Sequence, residues 1–214
     1  MSDAAEPTRL FLVTPPTVDR DRFPAQLAEA LAGGDVAAVL IAGSGGQAVG
    51  EIAEAIVPII QAAGAAVLIA DDTRIAGRLA ADGVHIGTGL GDLRDAVQSF
   101  RGQRTVGAGN LHSRHAAMEA AEAGADYVFF GRPHGDTHDE AHGKILDLAE
   151  WWSELMEVPA VVMAGRSLAS ITEAAATGAP FVAIHAAVWS HPDGAREAVR
   201  RAAEALGEPG RRAA

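Results

Sequence analysis

The stretch Ala123-Gly124-Ala125-Asp126-Tyr127-Val128-Phe129-Phe130-Gly131 decides the fold of this chain. Its first glycine is typical of a helix end, because glycine readily adopts the left-handed conformation that closes a last turn. The apolar run that follows predicts a buried strand, and Gly131 directly after it marks a turn. One short segment therefore contains a helix end, a strand and the start of a loop, which is the joint of a βα unit.

The same joint recurs along the chain. Gly64 and Gly178 also precede apolar runs, and Asp82-Gly83 is a looser instance. The predicted strands are Arg9–Thr14, Val36–Ile41, Ala66–Ala70, Gly83–Ile86, Thr105–Gly107, Tyr127–Phe130, Ala160–Met163 and Phe181–Ile184. Apolar residues at helical spacing predict helices between them: Phe23–Leu31, Ile52–Ala62, His115–Ala123, Ile145–Leu155, Ile171–Ala176 and Ala195–Leu206.

Regular alternation of strand and helix predicts a parallel sheet, and about eight units favour a closed (β/α)8 TIM barrel. We expect one domain over residues 1–214, with a frayed tail at 207–214. A doubly wound open sheet is the alternative. It is less favoured, because no G-x-G-x-x-G follows the first strand and the chain contains no Walker A motif.

Composition narrows the function classes. The chain has no cysteine, which excludes disulfides, thiolate nucleophiles and cysteine-based zinc sites. Its net charge of −11 argues against a nucleic-acid partner, since phosphate backbones require a basic surface. A small anionic ligand needs only local donors and remains open.

Two observations bear on location. No apolar run reaches the roughly 18 residues that a membrane span needs, so no membrane partner is predicted. The segment Met1–Thr8 is acidic and polar, unlike a signal peptide. We therefore expect a cytoplasmic protein.

In a β/α barrel the loops after the strands form the working face, and phosphate is often held after strands seven and eight. Gly165-Arg166-Ser167 offers backbone donors and a cation at the seventh strand end, and His185-Ala186 lies at the eighth. A βα turn often needs glycine for its backbone conformation alone. For each single glycine, a role in the turn without any ligand therefore stays open as the simpler interpretation.

Several of these segments together resemble the thiamine phosphate synthase family. They are Leu68-Ile69-Ala70-Asp71-Asp72, Ala81-Asp82-Gly83-Val84-His85-Ile86-Gly87, Glu122–Gly131 and, more weakly, Val161–Gly165. The resemblance implies a (β/α)8 barrel that couples an aminopyrimidine pyrophosphate to a thiazole phosphate, with magnesium on the leaving pyrophosphate. The family also includes a thiazole tautomerase, which does no pyrophosphate chemistry.

The resemblance implies specific site residues. Asp71-Asp72 matches a magnesium-binding Asn-Asp pair, and Asp92 replaces a second aspartate only after a two-residue shift. Gly109 stands where the family has a serine, and His185-Ala186 stands where it has Ile-Ser. The set expected to bind substrate or phosphate is Gly109, Asn110, Arg132, Gly165, Arg166, His185 and Ala186.

The chain also departs from the family pattern. Val39–Gly43 carries none of the side chains of the Gln-x-Arg-x-Lys cluster that binds pyrophosphate. Expelling pyrophosphate needs cations to offset the developing charge, and each lost donor costs on the order of 10² to 10³ in rate. The fold is thus expected to be that of the family, while the chain lacks some of the side chains that the synthase reaction uses.

The segment Arg132–Lys144 replaces a Thr-x-Thr-Lys loop and contains three histidines, three carboxylates and the only lysine. Histidine titrates near neutrality, so His134, with His85 after strand four, is the candidate acid or base of a tautomerase-like reaction. Metal binding by His134, His138 and His142, and a Schiff base at Lys144, are alternatives.

Three hypotheses follow: a synthase of this family that uses Mg2+, a tautomerase-like enzyme with a histidine acid or base, and a non-catalytic binder of a phosphorylated ligand. All three predict a small phosphorylated heterocycle or another small anion as partner. Trp151-Trp152 gives the predicted helix Ile145–Leu155 more apolar surface than one barrel needs, which suggests a homodimer.

Overall fold

The computed structural model of the chain describes residues 7–43, 46–100 and 102–207. Eight parallel strands pair in sequence order and the eighth closes on the first, so the (β/α)8 barrel is confirmed. The strands are β1 (Arg9–Val13), β2 (Val36–Ile41), β3 (Ala66–Ala70), β4 (Gly83–Ile86), β5 (Thr105–Ala108), β6 (Tyr127–Phe130), β7 (Ala160–Met163) and β8 (Phe181–Ile184). Each predicted strand is present within one residue of its predicted ends.

Helices cover the outside of the barrel. They are α1 (Phe23–Leu31), α2 (Gly46–Ala62), α3 (Thr73–Arg78), α4 (Leu90–Phe100), α5 (Arg114–Glu122), α6 (Gly143–Leu155), α7 (Ser170–Ala175), α8 (Ala186–Trp189) and α9 (Ala195–Gly207). None of them, in the part of the chain that the structure describes, is long and apolar enough to cross a membrane.

Three helices were absent from the sequence prediction. Helix α3 has six residues and α8 has four, so each spans less than two turns and gives only a weak periodic signal. Helix α4 has eleven residues with Leu90, Leu93 and Val97 at helical spacing, so its periodic signal was present and the prediction missed it. The predicted frayed tail lies outside the described residues, except for Gly207, which ends α9.

Alternation along the strands divides the apolar residues into two cores. One set packs between the sheet and the helices and includes Trp152 and Phe130. The other fills the barrel interior, with Phe11, Tyr127 and Phe129 among its members. The interior is therefore packed with side chains, and a ligand has room only at its mouth.

Candidate active site

The carboxyl ends of the strands surround a cavity of about 430 Å³, called here the mouth cavity. Five of the predicted site residues line it together, although they come from the ends of four different strands: Asp71, His85, Asn110, Arg132 and His134. The rest of the lining is mainly small or apolar: Pro16, Ala42, Gly43, Ala70, Gly87, Thr88 and Pro133.

His85 projects into the barrel and forms part of the floor of this cavity. Its Nδ1 lies 2.9 Å from the hydroxyl oxygen of Tyr127, and both residues are buried. Burial lowers the pKa of His85 to about 4, so the ring is neutral at physiological pH. Burial also raises the pKa of Tyr127 well above its usual range, which keeps the phenol protonated.

Two glycines of the β5 segment make room for this pair. A Cβ at Gly107 would lie 1.9 Å from the Tyr127 ring, and one at Gly109 would lie 2.3 Å from Nε2 of His85. Real Cβ atoms do not approach so closely. Packing against His85 therefore explains the glycine at position 109, whether or not a phosphate binds there.

His134 stands at the rim, half-buried. Its Nε2 lies 2.9 Å from the backbone carbonyl oxygen of Thr14, and its ring packs edge-on against His185 with centroids 4.9 Å apart. Desolvation lowers the pKa of His134 and the neighbouring His185 adds to this effect, while the Thr14 hydrogen bond and Asp136 oppose it. A lowered pKa favours the neutral ring.

Asp136 is a site residue that sequence reasoning did not single out. Its buried carboxylate accepts from the backbone N–H of Ala186 at 2.6 Å and lies 3.0 Å from Nδ1 of His185. The sequence shows three carboxylates in this loop and gives no signal that selects the buried one. Burial depends on how the loop folds back onto β8, which is a tertiary contact.

The same loop covers the end of β7. The carbonyl of His138 accepts from the N–H of Arg166 at 2.8 Å, and that of Asp139 accepts from Ser167 at 3.2 Å. Gly165 lies directly beneath, since a Cβ there would be 2.3 Å from the Asp139 carbonyl oxygen. The backbone donors expected to bind phosphate after β7 and β8 are thus engaged with oxygen atoms of the chain itself.

The three carboxylates expected to hold magnesium do not converge. Asp71 reaches the mouth cavity, where its Oδ1 accepts from the N–H of Gly87 at 2.7 Å. Asp72 instead caps α3 through Oδ1, and Asp92 is exposed in the first turn of α4. The described residues contain no group of three His, Asp or Glu side chains that fits a metal ion. These residues do not form a magnesium site, and we derive no step through one.

The histidines of the loop separate. His134 turns inward, whereas His138 and His142 are exposed and line a second cavity of about 550 Å³ between the loop and α6. Lys144 is exposed at the start of α6 and also borders that cavity. The described segment 132–142 contains no helix, so the spacing of four does not align the three imidazoles.

Fold and site together define a class: a (β/α)8-barrel protein whose mouth presents two neutral histidines, one carboxylate and one arginine. The sequence model of the thiamine monophosphate synthase family matches residues 10–188. The chain belongs to this family.

Curated relatives agree with this assignment, and a solved structure has the same fold. Thiamine-phosphate synthase of Hyphomonas neptunium is 38% identical over 94% of this chain and 96% of its own. That of Rhodospirillum centenum is 37% identical over 89% and 94%. Thiamine phosphate pyrophosphorylase from Pyrococcus furiosus has the same fold, with a TM-score of 0.75 at 22% identity over 94% and 96% of the two chains.

Proposed function

We propose that this chain moves a proton on a small phosphorylated heterocycle bound at the mouth cavity, with His85 and His134 as the acid–base pair. One observation carries the proposal. Two imidazoles from different strand ends line one cavity, each has one ring nitrogen tied to the protein, and each pKa is lowered. A neutral imidazole can accept a proton at one ring nitrogen and donate a hydrogen bond from the other.

The synthase reaction is the second candidate, supported by relatives of 36–38% identity that carry that name. The geometry supports it less. Among the described residues that line the mouth cavity, Arg132 is the only cation. Pyrophosphate expulsion needs several donors aimed at the leaving group, and one arginine supplies only part of that stabilisation.

One pair of assays separates these candidates. In deuterated buffer, the protein and a thiazole phosphate are followed by NMR for incorporation of deuterium into the heterocycle. We expect incorporation, a loss of about 10²-fold or more in His134→Ala, and an unchanged rate in His115→Ala, whose histidine is exposed on α5. Unchanged incorporation in His134→Ala would contradict the proposal.

The second assay adds an aminopyrimidine pyrophosphate and Mg2+ and measures thiamine phosphate. Product at a rate that exceeds the deuterium exchange would favour the synthase reaction. No product at high protein concentration would exclude it.

We further propose that the ligand phosphate binds the backbone of Gly165, Arg166 and Ala186, with Arg132, Asn110, His185 and the Gly109 turn around it. The supporting observation is that the N–H groups of Arg166 and Ala186 already bind oxygen atoms of the 132–142 loop, while the N–H of Gly165 donates to Oγ of Ser170. A ligand phosphate would exchange places with those oxygens. Thermal unfolding with thiazole phosphate and with inorganic phosphate tests this, since a bound ligand raises the midpoint. No shift with either would count against the phosphate site.

We also propose a homodimer that acts in the cytoplasm, where phosphorylated substrates are retained because charged groups cross membranes poorly. Trp152 is fully buried, but Trp151 is only partly buried beneath Arg114, and Leu155 one turn further is 66% exposed. This surface of α6 is the proposed contact between subunits.

A further inference from the structure

The hydroxyl of Tyr127 lies inside the barrel, below the mouth cavity. Among the described residues, Nδ1 of His85 is its one hydrogen-bond partner, at 2.9 Å. The two rings stack with centroids 5.8 Å apart and planes 23° apart. Gly107 and Gly109 remove the Cβ atoms that would push either ring out of this arrangement.

The hydrogen-bonding capacity of the two groups fixes which atom donates. A phenol hydrogen needs an acceptor, and leaving one buried without a partner costs about 1–3 kcal/mol. If Nδ1 carried the proton, it would donate to the phenol oxygen and the phenol hydrogen would have no acceptor. The favourable arrangement therefore has the Tyr127 hydroxyl donating to Nδ1, and the ring proton of neutral His85 lies on Nε2.

The hydrogen bond of His134 leaves this ring with a free acceptor nitrogen, whereas His85 is left with a free donor. The Thr14 backbone carbonyl can only accept, so Nε2 of His134 donates to it and carries the proton of the neutral ring. Nδ1 then has a free lone pair. The adjacent His185 does not compete for it, because its own Nδ1 donates to the Asp136 carboxylate.

We propose that Tyr127 is a positioning residue that holds His85 as an N–H donor, which makes His85 the hydrogen-bond donor and His134 the base of the pair. This inference rests on the proposed function and deepens it. It names the substrate class as a heterocycle whose acidic C–H or N–H is conjugated to an oxygen or nitrogen acceptor. His85 Nε2–H binds that acceptor, and His134 Nδ1 removes the proton.

The step balances without a further reactant. The bond from hydrogen to the ligand atom breaks, its electron pair moves into the conjugated system toward the acceptor held by His85, and the proton forms a new bond to Nδ1 of His134. Return of that proton to a different ligand atom gives the tautomer and restores neutral His134. Fixed donors at developing negative charge favour the transition state over the ground state.

The test is ¹⁵N NMR of histidine-labelled protein without ligand. For His85 in the unaltered chain, we expect a pyridine-type shift for Nδ1 and a pyrrole-type shift for Nε2. The reverse assignment would overturn the inference. This measurement uses the unaltered chain, so it does not depend on the folding of a variant. In Tyr127→Phe, which keeps the ring and removes the donor, we expect the His85 signals to move toward a mixture of tautomers. The His134 signals in the same spectra are the control and should not move.

Kinetics then separate this inference from the proposed function. We expect Tyr127→Phe to lower kcat for deuterium exchange by about 10-fold or more with KM within about twofold, because a mispositioned donor affects the transition state more than binding. A KM change alone, with kcat intact, would contradict the positioning role. If no thiazole phosphate exchanges deuterium but the tautomers are as stated, the proposed reaction fails and the assignment of Tyr127 stands.

Discussion

At the scale of single residues, His85 shows how a ring that is ordinary in sequence acquires an unusual chemistry by burial. Water normally stabilises the imidazolium form, and the barrel interior removes that water. Its pKa of about 4 therefore reflects the packing of β4, β5 and β6 around the ring rather than a neighbouring charge.

The lowered pKa of His85 predicts a pH-dependent stability. Its folded value lies below the ordinary value of 6.5, so the unfolded chain takes up a proton that the folded chain does not bind as the pH falls. The free energy of unfolding should decrease by about 3 kcal/mol between about pH 7.5 and 4 and change little through this group above about pH 7.5. Urea titrations across this range, compared with His85→Gln and with the exposed-site control His115→Gln, measure it. Equal slopes in all three proteins would contradict the assignment.

Gly107 and Gly109 are predicted to be intolerant of even one methyl group. Because each added Cβ would overlap the ring of Tyr127 or His85, we expect Gly107→Ala and Gly109→Ala to destabilise the fold by about 1–3 kcal/mol each. Gly91→Ala in α4, where nothing lies within 4 Å of the added atom, is the matched control and should be neutral or stabilising. Chemical denaturation of the three variants measures this. Destabilisation in Gly91→Ala similar to that of the other two would show that the clash is not the cause.

At the scale of elements, the 132–142 loop crosses the carboxyl ends of three strands and is hydrogen-bonded to the residues that follow each of them. It contacts the end of β1 through His134, the end of β7 through the His138 and Asp139 carbonyls, and the end of β8 through Asp136. Backbone and buried side-chain contacts hold it, so a segment without regular structure still has a defined conformation.

Removing the buried carboxylate of Asp136 should make the 132–142 loop more mobile. In Asp136→Ala, two donors lose their acceptor: the backbone N–H of Ala186 and the ring Nδ1–H of His185. Each donor left buried without a partner costs about 1–3 kcal/mol. Amide hydrogen exchange of residues 132–142 should accelerate while that of the barrel strands is preserved. Asp139→Ala, an exposed carboxylate in the same loop, is the control and should exchange as the unaltered chain does. Unchanged exchange in Asp136→Ala would contradict the role of this anchor.

At the scale of the whole molecule, the barrel buries its strands on both faces, so surface properties rest on the outer faces of the helices. The described helices carry most of their polar residues there, and Leu155 is the one large exposed apolar side chain among the described residues. With the partly buried Trp151, it marks the surface of α6 on which the proposed homodimer contact is placed.

Leu155→Arg is predicted to separate the proposed homodimer. Placing a charge at the centre of an apolar contact leaves it desolvated and unpaired, so we expect the dissociation constant to rise by at least about tenfold. Sedimentation velocity over a range of protein concentrations measures it, with Glu154→Arg as a control for added charge on the same helix. A monomer at all concentrations in the unaltered chain would exclude the dimer.

The sequence by itself determined the architecture of this protein. Helix ends such as Gly124, apolar runs of strand length and their eightfold repetition are local signals, and a repeated βα unit closes in few ways. Location of site residues at strand ends followed from the same regularity, which is why five of the predicted residues line one cavity. Helix α4 carries the same local signal, with Leu90, Leu93 and Val97 at helical spacing, and the prediction missed it.

Only the tertiary structure decided the chemistry of those residues. Which carboxylate of the loop is buried, which histidine nitrogen is free and why Gly109 lacks a side chain all depend on atoms brought together from distant parts of the chain. Hydrogen bonds between residues 42 or 120 positions apart leave no periodic trace in a sequence. Burial and hydrogen bonding set the protonation of a side chain, and both are properties of the folded molecule.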